Sequence, residues 1–581
     1  MTPLLAALCA FVVYFLGYRF YSKFLAEKLF TIDPQRKTPA HTMTDGVDYL
    51  PTRPSILFSH HFASITGLAP MLGPAVAVIW GWLPALVWVV VGALLVGCVH
   101  DFGALVLSAR ARGLSVGKVA EGVIGPRART LFLLIIFFGI TLAMGVFVFV
   151  ISRLFSVELA PGHPGYPQAV LPSGALMLVA AIAGYLLYRK GVPLLPVAIV
   201  GFLSQLFFIW LGMRYPTVGL APASWPGPTT WTLVLLAYAF IASVLPVWAL
   251  LQSRDFLNSL LLYLGVGLAY IGLFVGNPQF DAPAVVLHPE GAPSLLPFVF
   301  IVIACGAASG FHGMVSSGTT SKQLDNEVHA RPIGYGAMIG ESLLGLLATL
   351  ACTAGFGSSE LWHGHYGSWA VAGGLTTKID AFIMGTTSFV VELGLPADLA
   401  AALIAMVVVS FALTTLDSAT RLLRFNLEEL AASFGLPFAD NRTVSSLLAC
   451  GAIALFAFYK VDGQPAALAL WQLFGTTNQL LAGLTLGLVT LYLKQRGKNV
   501  WFTAVPTIFM LVSTLIAMAE NLHTFAFGAK PDMLLLLVGG MLFFLALWLL
   551  VEAALTLRKL TPTNDPEVLL EHLSPPQGEA K

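Results

Sequence analysis

The sequence predicts an all-α polytopic membrane protein of about fifteen transmembrane helices. Of its 581 residues 57% are hydrophobic and only 10% are charged, and the mean hydropathy is +0.84. Soluble domains carry roughly a quarter charged residues. Lys and Arg total 30 against 29 Asp and Glu, so the charge balance indicates neither nucleic acid nor an acidic partner. The five cysteines lie in apolar segments, where they act as small hydrophobic residues and form no recognised metal motif.

The individual spans follow from bilayer thickness. A hydrocarbon core of about 30 Å requires about 20 mainly apolar residues per helix. The segments that meet this length are 3–23, 55–82, 84–109, 130–155, 173–188, 193–213, 231–251, 256–276, 296–320, 334–356, 398–423, 443–460, 465–493, 502–520 and 533–557. The first lacks basic residues before its apolar run, so we expect a retained helix rather than a signal peptide.

The distribution of basic residues predicts the orientation. With the N-terminus outside and the C-terminus in the cytoplasm, 25 of the 30 Lys and Arg residues fall in cytoplasmic loops. The cytoplasmic loop 24–54 and the tail 561–581 are too short and polar to fold alone. The external stretch 357–397 is expected to form a two-part cap with an amphipathic piece. We therefore expect one transporter domain over 1–560, with its core at about 55–493.

Two of the predicted helices contain helix-breaking residues near their middle. The second span contains SITGLAPMLGP at 64–74, and the ninth contains GAASGFHG at 306–313. Pro70 and Pro74 remove backbone donors, and the glycines lower the cost of unwinding. A proline kink or a small-residue packing face explains one such segment equally well. Two breaks in matching positions of inverted repeats are instead typical of a secondary transporter, with its substrate site at the bilayer midplane.

The eleventh span adds a polar cluster to this pattern. It contains SFALTTLDS at 410–418, with hydroxyls and a carboxylate amid apolar residues. In a LeuT-like inverted-repeat core, the helix at this position supplies hydroxyls to a cation site. Helices 2–8 would then hold the first repeat with two extra helices, and helices 9–13 the second. The peripheral helices would be 3–23, 502–520 and 533–557.

Four segments carry a resemblance to a known family: PSILFSHHFASITGLAP at 54–70, GCVHDF at 97–102, the stretch 312–322 and TTLDSATR at 414–421. On these the chain resembles the carbon starvation protein CstA family of bacterial membrane transporters, from the first helix to about residue 525. This resemblance implies uptake of peptides or of pyruvate, the latter by proton symport, in the bacterial inner membrane with an APC-superfamily-like fold. The chain is shorter at its C-terminus than the longest family members.

Intramembrane ionisable residues are functional candidates by default, since each costs at least about 2.5 kcal/mol on insertion scales. The residues predicted to bind substrate are Ser64, Thr66, Gly67, Ser309, Gly310 and His312. The residues predicted to couple the ion are Thr414, Thr415, Asp417, Ser418, His60, His61, His100 and Asp101. His60 and His61 point about 100° apart on a helix. An interfacial position for His100 and Asp101 is the alternative, and Glu341, Glu520 and Glu552 receive no role.

The sequence supports four functions in decreasing order. The first is import of a small carboxylate, pyruvate or a short peptide, by proton symport, because half-helix N-termini attract carboxylates. The second is sodium coupling through hydroxyl oxygens. The third is a membrane-embedded metal-dependent hydrolase built from the histidines, although no recognised zinc motif is present. The fourth is a channel. We expect no enzyme activity, no metal and no cofactor besides the coupling ion, H⁺ or Na⁺. The expected partners are a small-molecule substrate and the lipid bilayer, without nucleic acid.

Overall fold

The computed structural model describes residues 1–160, 162–439, 441–461, 464–528 and 531–559. The predicted tail 561–581 lies outside these residues. The first half of the chain forms ten helices, which are α1 Pro3–Leu29, α2 Pro54–Ile65, α3 Ala69–Trp80, α4 Trp82–Arg110, α5 Val116–Val123, α6 Pro126–Phe155, α7 Pro167–Arg189, α8 Leu194–Arg214, α9 Pro228–Val244 and α10 Leu251–Gly276. A hairpin of two short antiparallel strands, β1 Glu158–Ala160 and β2 His163–Pro164, follows α6.

The second half begins with another broken pair. α11 spans Leu295–Val302, and α12 begins with Gly310–Val315 and continues through Ser316–Thr320 and Ser321–Gln323. The remaining helices are α13 Glu327–Ala354, α14 Ser359–Tyr366, α15 Trp369–Ala372, α16 Leu375–Val391, α17 Ala397–Ser433, α18 Arg442–Phe458, α19 Ala466–Gln495, α20 Trp501–Phe527 and α21 Met533–Lys559. A second strand pair, β3 Lys460–Val461 and β4 Gln464–Pro465, precedes α19.

The all-α polytopic architecture is confirmed. Within the described ranges, ten helices are long and apolar enough to cross a membrane, and the bent pair α2–α3 makes an eleventh. Each of the fifteen expected segments corresponds to a helix or a broken pair, but the count of fifteen spans stays a prediction. The segment expected at 231–251 ends as a helix at Val244, because Pro246 follows and Arg421 donates to the carbonyl of Ala242. The segment 357–397, predicted to form a two-part cap, contains three helices, α14 to α16.

Burial separates central helices from peripheral ones. The most apolar window of α17 is 89% buried and that of α13 is 83% buried, whereas the values for α7 and α8 are 39% and 22%. α7 and α8 pack on each other and on α10 around a small apolar core of their own. α7 and α8 therefore lie outside the central bundle. α1 and α21 are also peripheral, because only 22% and 28% of their most apolar windows are buried.

Both expected breaks are present, each displaced slightly toward the N-terminus. The first break covers residues 66–68 and bends the chain by 46° between α2 and α3. Pro70 and Pro74 lie inside α3 instead of at the break; Pro70 sits in the first turn, where a helix needs no backbone donor. The second break covers residues 303–309, and its Gly306 has a φ of 88°, a conformation that favours glycine.

The two breaks are in contact with each other. A Cβ built on Gly306 would lie 3.6 Å from the Cβ of Pro70. A Cβ on Gly73 would lie only 2.6 Å from the carbonyl oxygen of Val302, so this approach of α3 to the second break requires glycine. The polar backbone groups of both interruptions are therefore buried in the protein rather than exposed to lipid, as the bilayer demands.

The segment 24–54, which begins in the last turn of α1 and was predicted to be cytoplasmic, is docked onto the helical bundle. Asp48 accepts hydrogen bonds from Arg421 at 2.8 Å and from Arg424 at 3.4 Å, both on α17. Thr52 pairs with the backbone at the end of α12 through a 3.1 Å hydrogen bond to the carbonyl of Gln323. Burial opposes ionisation of Asp48, but the charges of Arg424 and Arg421 outweigh it and lower the pKa of this carboxyl to about 2. The loop is thus held by a buried ion pair in addition to backbone pairing.

Candidate functional site

One buried polar cluster surrounds Asp417 of α17, and we refer to it as the Asp417 cluster. Its members come from four helices and are His60, Ser64, Tyr238, Arg254, Asp255, Asn258, Thr414, Asp417 and Ser418. Arg254 and Tyr238 both donate to Oδ2 of Asp417. Arg254 also donates to Thr414 at 3.2 Å. The guanidinium therefore lies where the sequence predicted a cation between Thr414 and Asp417.

The same cluster reaches the first helix break through His60 and Ser64. Nδ1 of His60 lies 2.6 Å from Oδ2 of Asp255, and Ser64 donates to the same oxygen at 3.3 Å. Ser64 also shares a 2.9 Å hydrogen bond with Ser418. Thr415 donates to the carbonyl of Ser64 at 3.5 Å. On α17, the hydroxyl of Thr414 therefore contacts Arg254, whereas those of Thr415 and Ser418 contact Ser64 at the end of α2.

The charges of the Asp417 cluster depend on one proton. Arg254 contributes a positive charge, while Asp255 and Asp417 contribute two negative charges when ionised. The side chains of all three residues and of His60 are buried, with at most 1% exposure. A net negative charge is expensive in such a site. Protonation of the His60–Asp255 pair makes the cluster neutral.

A second buried cluster surrounds Asp101 of α4, and we refer to it as the Asp101 cluster. Its members are His100, Asp101, Cys305, His312 and Glu341. Asp101 interacts with Nδ1 of His100 at 2.7 Å and with Nδ1 of His312 at 3.0 Å. Nε2 of His312 lies 2.9 Å from Oε2 of Glu341 on α13. The cluster links α4, the second break, α12 and α13.

The structure divides several of the predicted ion-coupling and substrate-binding residues between these two clusters. His60 joins the Asp417 cluster, whereas His100, Asp101 and His312 join the Asp101 cluster. His61 turns the other way from His60 and bonds Thr320 of α12 at 2.8 Å, as their 100° separation on a helix predicted. The side chains of His100 and Asp101 are both fully buried in the protein.

The six predicted substrate residues do not share one cavity in this conformation. Ser64 and Gly67 face α17, and a Cβ on Gly67 would lie 2.7 Å from Oγ1 of Thr415. Ser309 and Gly310 face α19, where Asn478 bonds Ser309 and accepts from the backbone of Phe311. Thr66 has a buried hydroxyl without a hydrogen-bond partner among the described residues. The role of these residues in substrate binding stays a prediction.

The cavity beside the second break is narrow. Phe311, Phe474 and Asn478 are among its lining residues, and its volume is about 10 Å³. This is room for about one water molecule. A molecule larger than water could enter this cavity only if α6, α12 and α19 separated.

Sequence inspection missed several residues of these clusters. Arg254, Asp255 and Asn258 lie on one face of α10, at i, i+1 and i+4 in the run LQSRDFLN that opens this helix. Charged residues within an apolar span were the available signal. The predicted span begins at 256 and so leaves Arg254 and Asp255 in a loop, whereas the helix begins at Leu251.

The fold and these clusters define a class. Two contacting broken helices flanked by buried ionisable clusters are the features of a secondary membrane transporter. The chain belongs to the carbon starvation protein CstA family, whose family model matches residues 3–358 and 365–517. The resemblance found in the sequence motifs is thereby confirmed.

Curated relatives carry transporter names. The chain is 32% identical to the peptide transporter CstA of Campylobacter jejuni, covering 90% of this chain and 80% of the relative. It is 32% identical to the pyruvate/proton symporter BtsT of Escherichia coli, covering 90% of this chain and 81% of the relative. It is 31% identical to the peptide transporter CstA of Bacillus subtilis, covering 90% of this chain and 91% of the relative.

Solved structures with low sequence identity were also found. Mhp1, a nucleobase-cation-symport-1 family transporter, gives a TM-score of 0.43 at 14% identity, covering 92% of this chain and all of that one. MhsT in complex with L-phenylalanine gives a TM-score of 0.44 at 13% identity, covering 82% of this chain and 100% of that one. A manganese transporter of Eremococcus coleocola gives a TM-score of 0.44 at 13% identity, covering 89% of this chain and 99% of that one.

Proposed function

We propose that this membrane transporter imports a small carboxylate nutrient, pyruvate or a short peptide, by proton symport across the bacterial inner membrane. Its relatives are named for these two substrates and one of them for proton coupling. The proposed orientation has the N-terminus outside and the C-terminus in the cytoplasm, as the basic loops predict. No enzymatic step is part of this proposal.

The observation that carries proton coupling is the position of Arg254. Its guanidinium contacts Asp417, Thr414 and Tyr238, so it occupies the oxygen atoms of Asp417 and Thr414 that a cation could otherwise use. Arg is permanently charged, so it cannot be the ion that is exchanged in each cycle. Within the Asp417 cluster, the groups left to take up and release a charge are His60 and Asp255, and the ion that they would exchange is a proton.

A free cation supports a carboxylate substrate. Lys378 on α16 is 6% exposed, and its ammonium lies 5.4 Å from the centroid of the Trp471 ring. Among the described residues no carboxylate pairs with it. Trp471 in turn packs 5.4 Å from Phe474, which lines the narrow cavity. In the proposed orientation, Lys378 attracts the substrate carboxylate on the outer side and the aromatic residues lead inward.

Lys378 remains charged under ordinary conditions. Burial lowers its pKa to about 8, so the ammonium form still predominates at pH 7. A buried amine beside an aromatic ring gains from cation–π contact, which is worth about 0.5–2 kcal/mol. That leaves the charge available to an incoming carboxylate, because the ring does not neutralise it.

The decisive test is uptake into proteoliposomes. Labelled pyruvate and a labelled dipeptide are each supplied with and without a proton gradient, and with Na⁺ or K⁺ as the only cation. We expect accumulation of one of the two substrates to follow the proton gradient and to be the same in both salts. Accumulation that needs Na⁺ and ignores the pH gradient would refute proton coupling. Failure of both substrates would refute the substrate class.

A further inference from the structure

Three different metal-ligating side chains converge at the second helix break. Cys305 lies within the break, His312 on the first turn of α12 and Glu341 on α13. A ligand atom from each, Sγ, a ring nitrogen and a carboxylate oxygen, lies within 4.8 Å of the other two. All three residues are buried, with exposures of 4%, 0% and 0%. Thiolate, imidazole and carboxylate together are the donor set of zinc sites.

The orientation of His312 matches that of a metal ligand. Its Nδ1 faces Asp101 at 3.0 Å, which leaves Nε2 directed toward Cys305 and Glu341. Metal-binding histidines almost always donate their second ring N–H to a carboxylate or carbonyl, which fixes the tautomer. Asp101 fills that supporting position, and His100 holds Asp101 from the other side at 2.7 Å.

The ligand atoms of His312 and Glu341 lack hydrogen bonds, whereas Sγ of Cys305 contacts Oγ of Ser309 at 3.2 Å. Nε2 of His312 and both carboxylate oxygens of Glu341 are buried and have no hydrogen-bond partner of acceptable geometry among the described residues. The 2.9 Å separation of Nε2 and Oε2 is about 0.5 Å shorter than the roughly 3.4 Å between two tetrahedral ligands that each lie about 2.1 Å from one zinc ion, so a small movement of the Glu341 side chain would admit the metal. Orphaned polar atoms in a membrane interior are expensive, and a shared cation would satisfy all of them at once.

We propose that Cys305, His312 and Glu341 bind one Zn²⁺ or a similar late first-row transition metal, with Asp101 orienting His312. The expectation of no metal from the sequence is thereby revised. Three protein ligands leave a fourth position for water or another small ligand. The metal would join the second break to α12 and α13, so its first role is to hold the unwound backbone in place. This inference does not depend on which substrate or coupling ion the transporter uses.

Metal content of tag-free protein, purified without chelator and washed of loose ions, tests the proposal. We expect one zinc per chain by elemental analysis, or one tight Zn²⁺ site by titration of metal-depleted protein. Cys305→Ser and Glu341→Gln should weaken that site on the order of 100-fold or more, and Asp101→Asn about 10- to 100-fold. Cys352→Ser is the matched control, because Cys352 is also buried but lies two turns or more from the cluster on α13 and should leave binding unchanged.

Cobalt provides a readout that is specific for the thiolate. Co²⁺ bound to the depleted protein should give a sulfur-to-metal charge-transfer band, which disappears in Cys305→Ser and persists in Cys352→Ser. Added Zn²⁺ should raise the thermal unfolding temperature of the wild type but not of Glu341→Gln, which separates metal loss from misfolding. The proposal is overturned if the wild type binds no stoichiometric metal, or if Cys305→Ser and Glu341→Gln bind it as tightly as the wild type.

Discussion

The pairing of Arg254 with Asp417 makes a quantitative prediction about Asp417→Asn. Asparagine keeps an oxygen that accepts from Arg254 and Tyr238, so the hydrogen bonds survive and only the charge is removed. The guanidinium, which is 1% exposed, then lacks its anionic partner within the bilayer. Breaking a buried ion pair from one side costs about 3–5 kcal/mol. We take the lower end, about 3 kcal/mol, because Thr414 and Tyr238 still contact Arg254.

The charge count of the Asp417 cluster sets the transport phenotype. Without the charge of Asp417, Arg254 and Asp255 balance each other, and no proton is needed for neutrality. Gradient-driven accumulation should therefore disappear in Asp417→Asn, while exchange of internal for external substrate continues at a substantial rate. The assay compares net uptake with exchange in proteoliposomes, each with and without a proton gradient. Asp398→Asn on the exposed start of the same helix is the matched control and should accumulate normally.

A double-variant cycle separates the ion pair from general damage. Arg254→Met alone should destabilise the protein about as much as Asp417→Asn, and the double variant should lose clearly less than the sum. Thermal unfolding of the purified variants in nanodiscs gives the comparison. Additive losses would mean that the two residues do not interact. Normal proton-driven accumulation by Asp417→Asn would place the coupling group outside this cluster.

Three further predictions concern other parts of the molecule. Lys378→Met should raise the KM for a carboxylate substrate about tenfold, the loss of roughly 1.4 kcal/mol of binding, and Lys378→Arg should preserve it. The ammonium of Lys378 is lost as the pH rises through about 8, so above that pH the wild type should lose affinity for the substrate relative to Lys378→Arg. Equal pH profiles of KM in the two proteins would exclude a role for Lys378. Asp48→Ala should make loop 24–54 sensitive to protease from the cytoplasmic side, because Arg421 and Arg424 lose their partner. In the wild type, the docking of this loop should not change between pH 5 and 8. The pKa of the Asp48 carboxyl is lowered to about 2, so its ion pair stabilises the fold at every pH above the unfolded value of about 3.9 and loses this contribution as the pH falls through about 2. A loop that undocks between pH 5 and 8 would contradict the ion pair. A C-terminal reporter that fluoresces only after export should stay dark, and fluorescence would invert the topology.

The sequence predicted the parts of this protein that depend on local composition. The backbone groups of long apolar runs can only be satisfied as helices within a bilayer, so each predicted segment coincides with a helix or a broken pair, although many helix ends lie elsewhere. The interruptions near 64–74 and 306–313 were recognised because glycine and proline weaken a helix wherever they occur. The positions of the breaks differed slightly, since Pro70 starts α3 rather than ending α2.

Only the tertiary structure decided which ionisable groups meet. His60 and Asp101 were both predicted to couple the ion, yet His60 pairs with Asp255 on α10 and Asp101 pairs with His312 on α12. Such pairings join residues about 200 positions apart in the chain, and no periodicity along a single helix encodes them. Arg254 shows the consequence most clearly. From the sequence, Arg254 was predicted to be a basic residue of a cytoplasmic loop. In the structure, α10 packs against α17 and the guanidinium is buried beside Asp417, the anion that a buried charge of this kind requires.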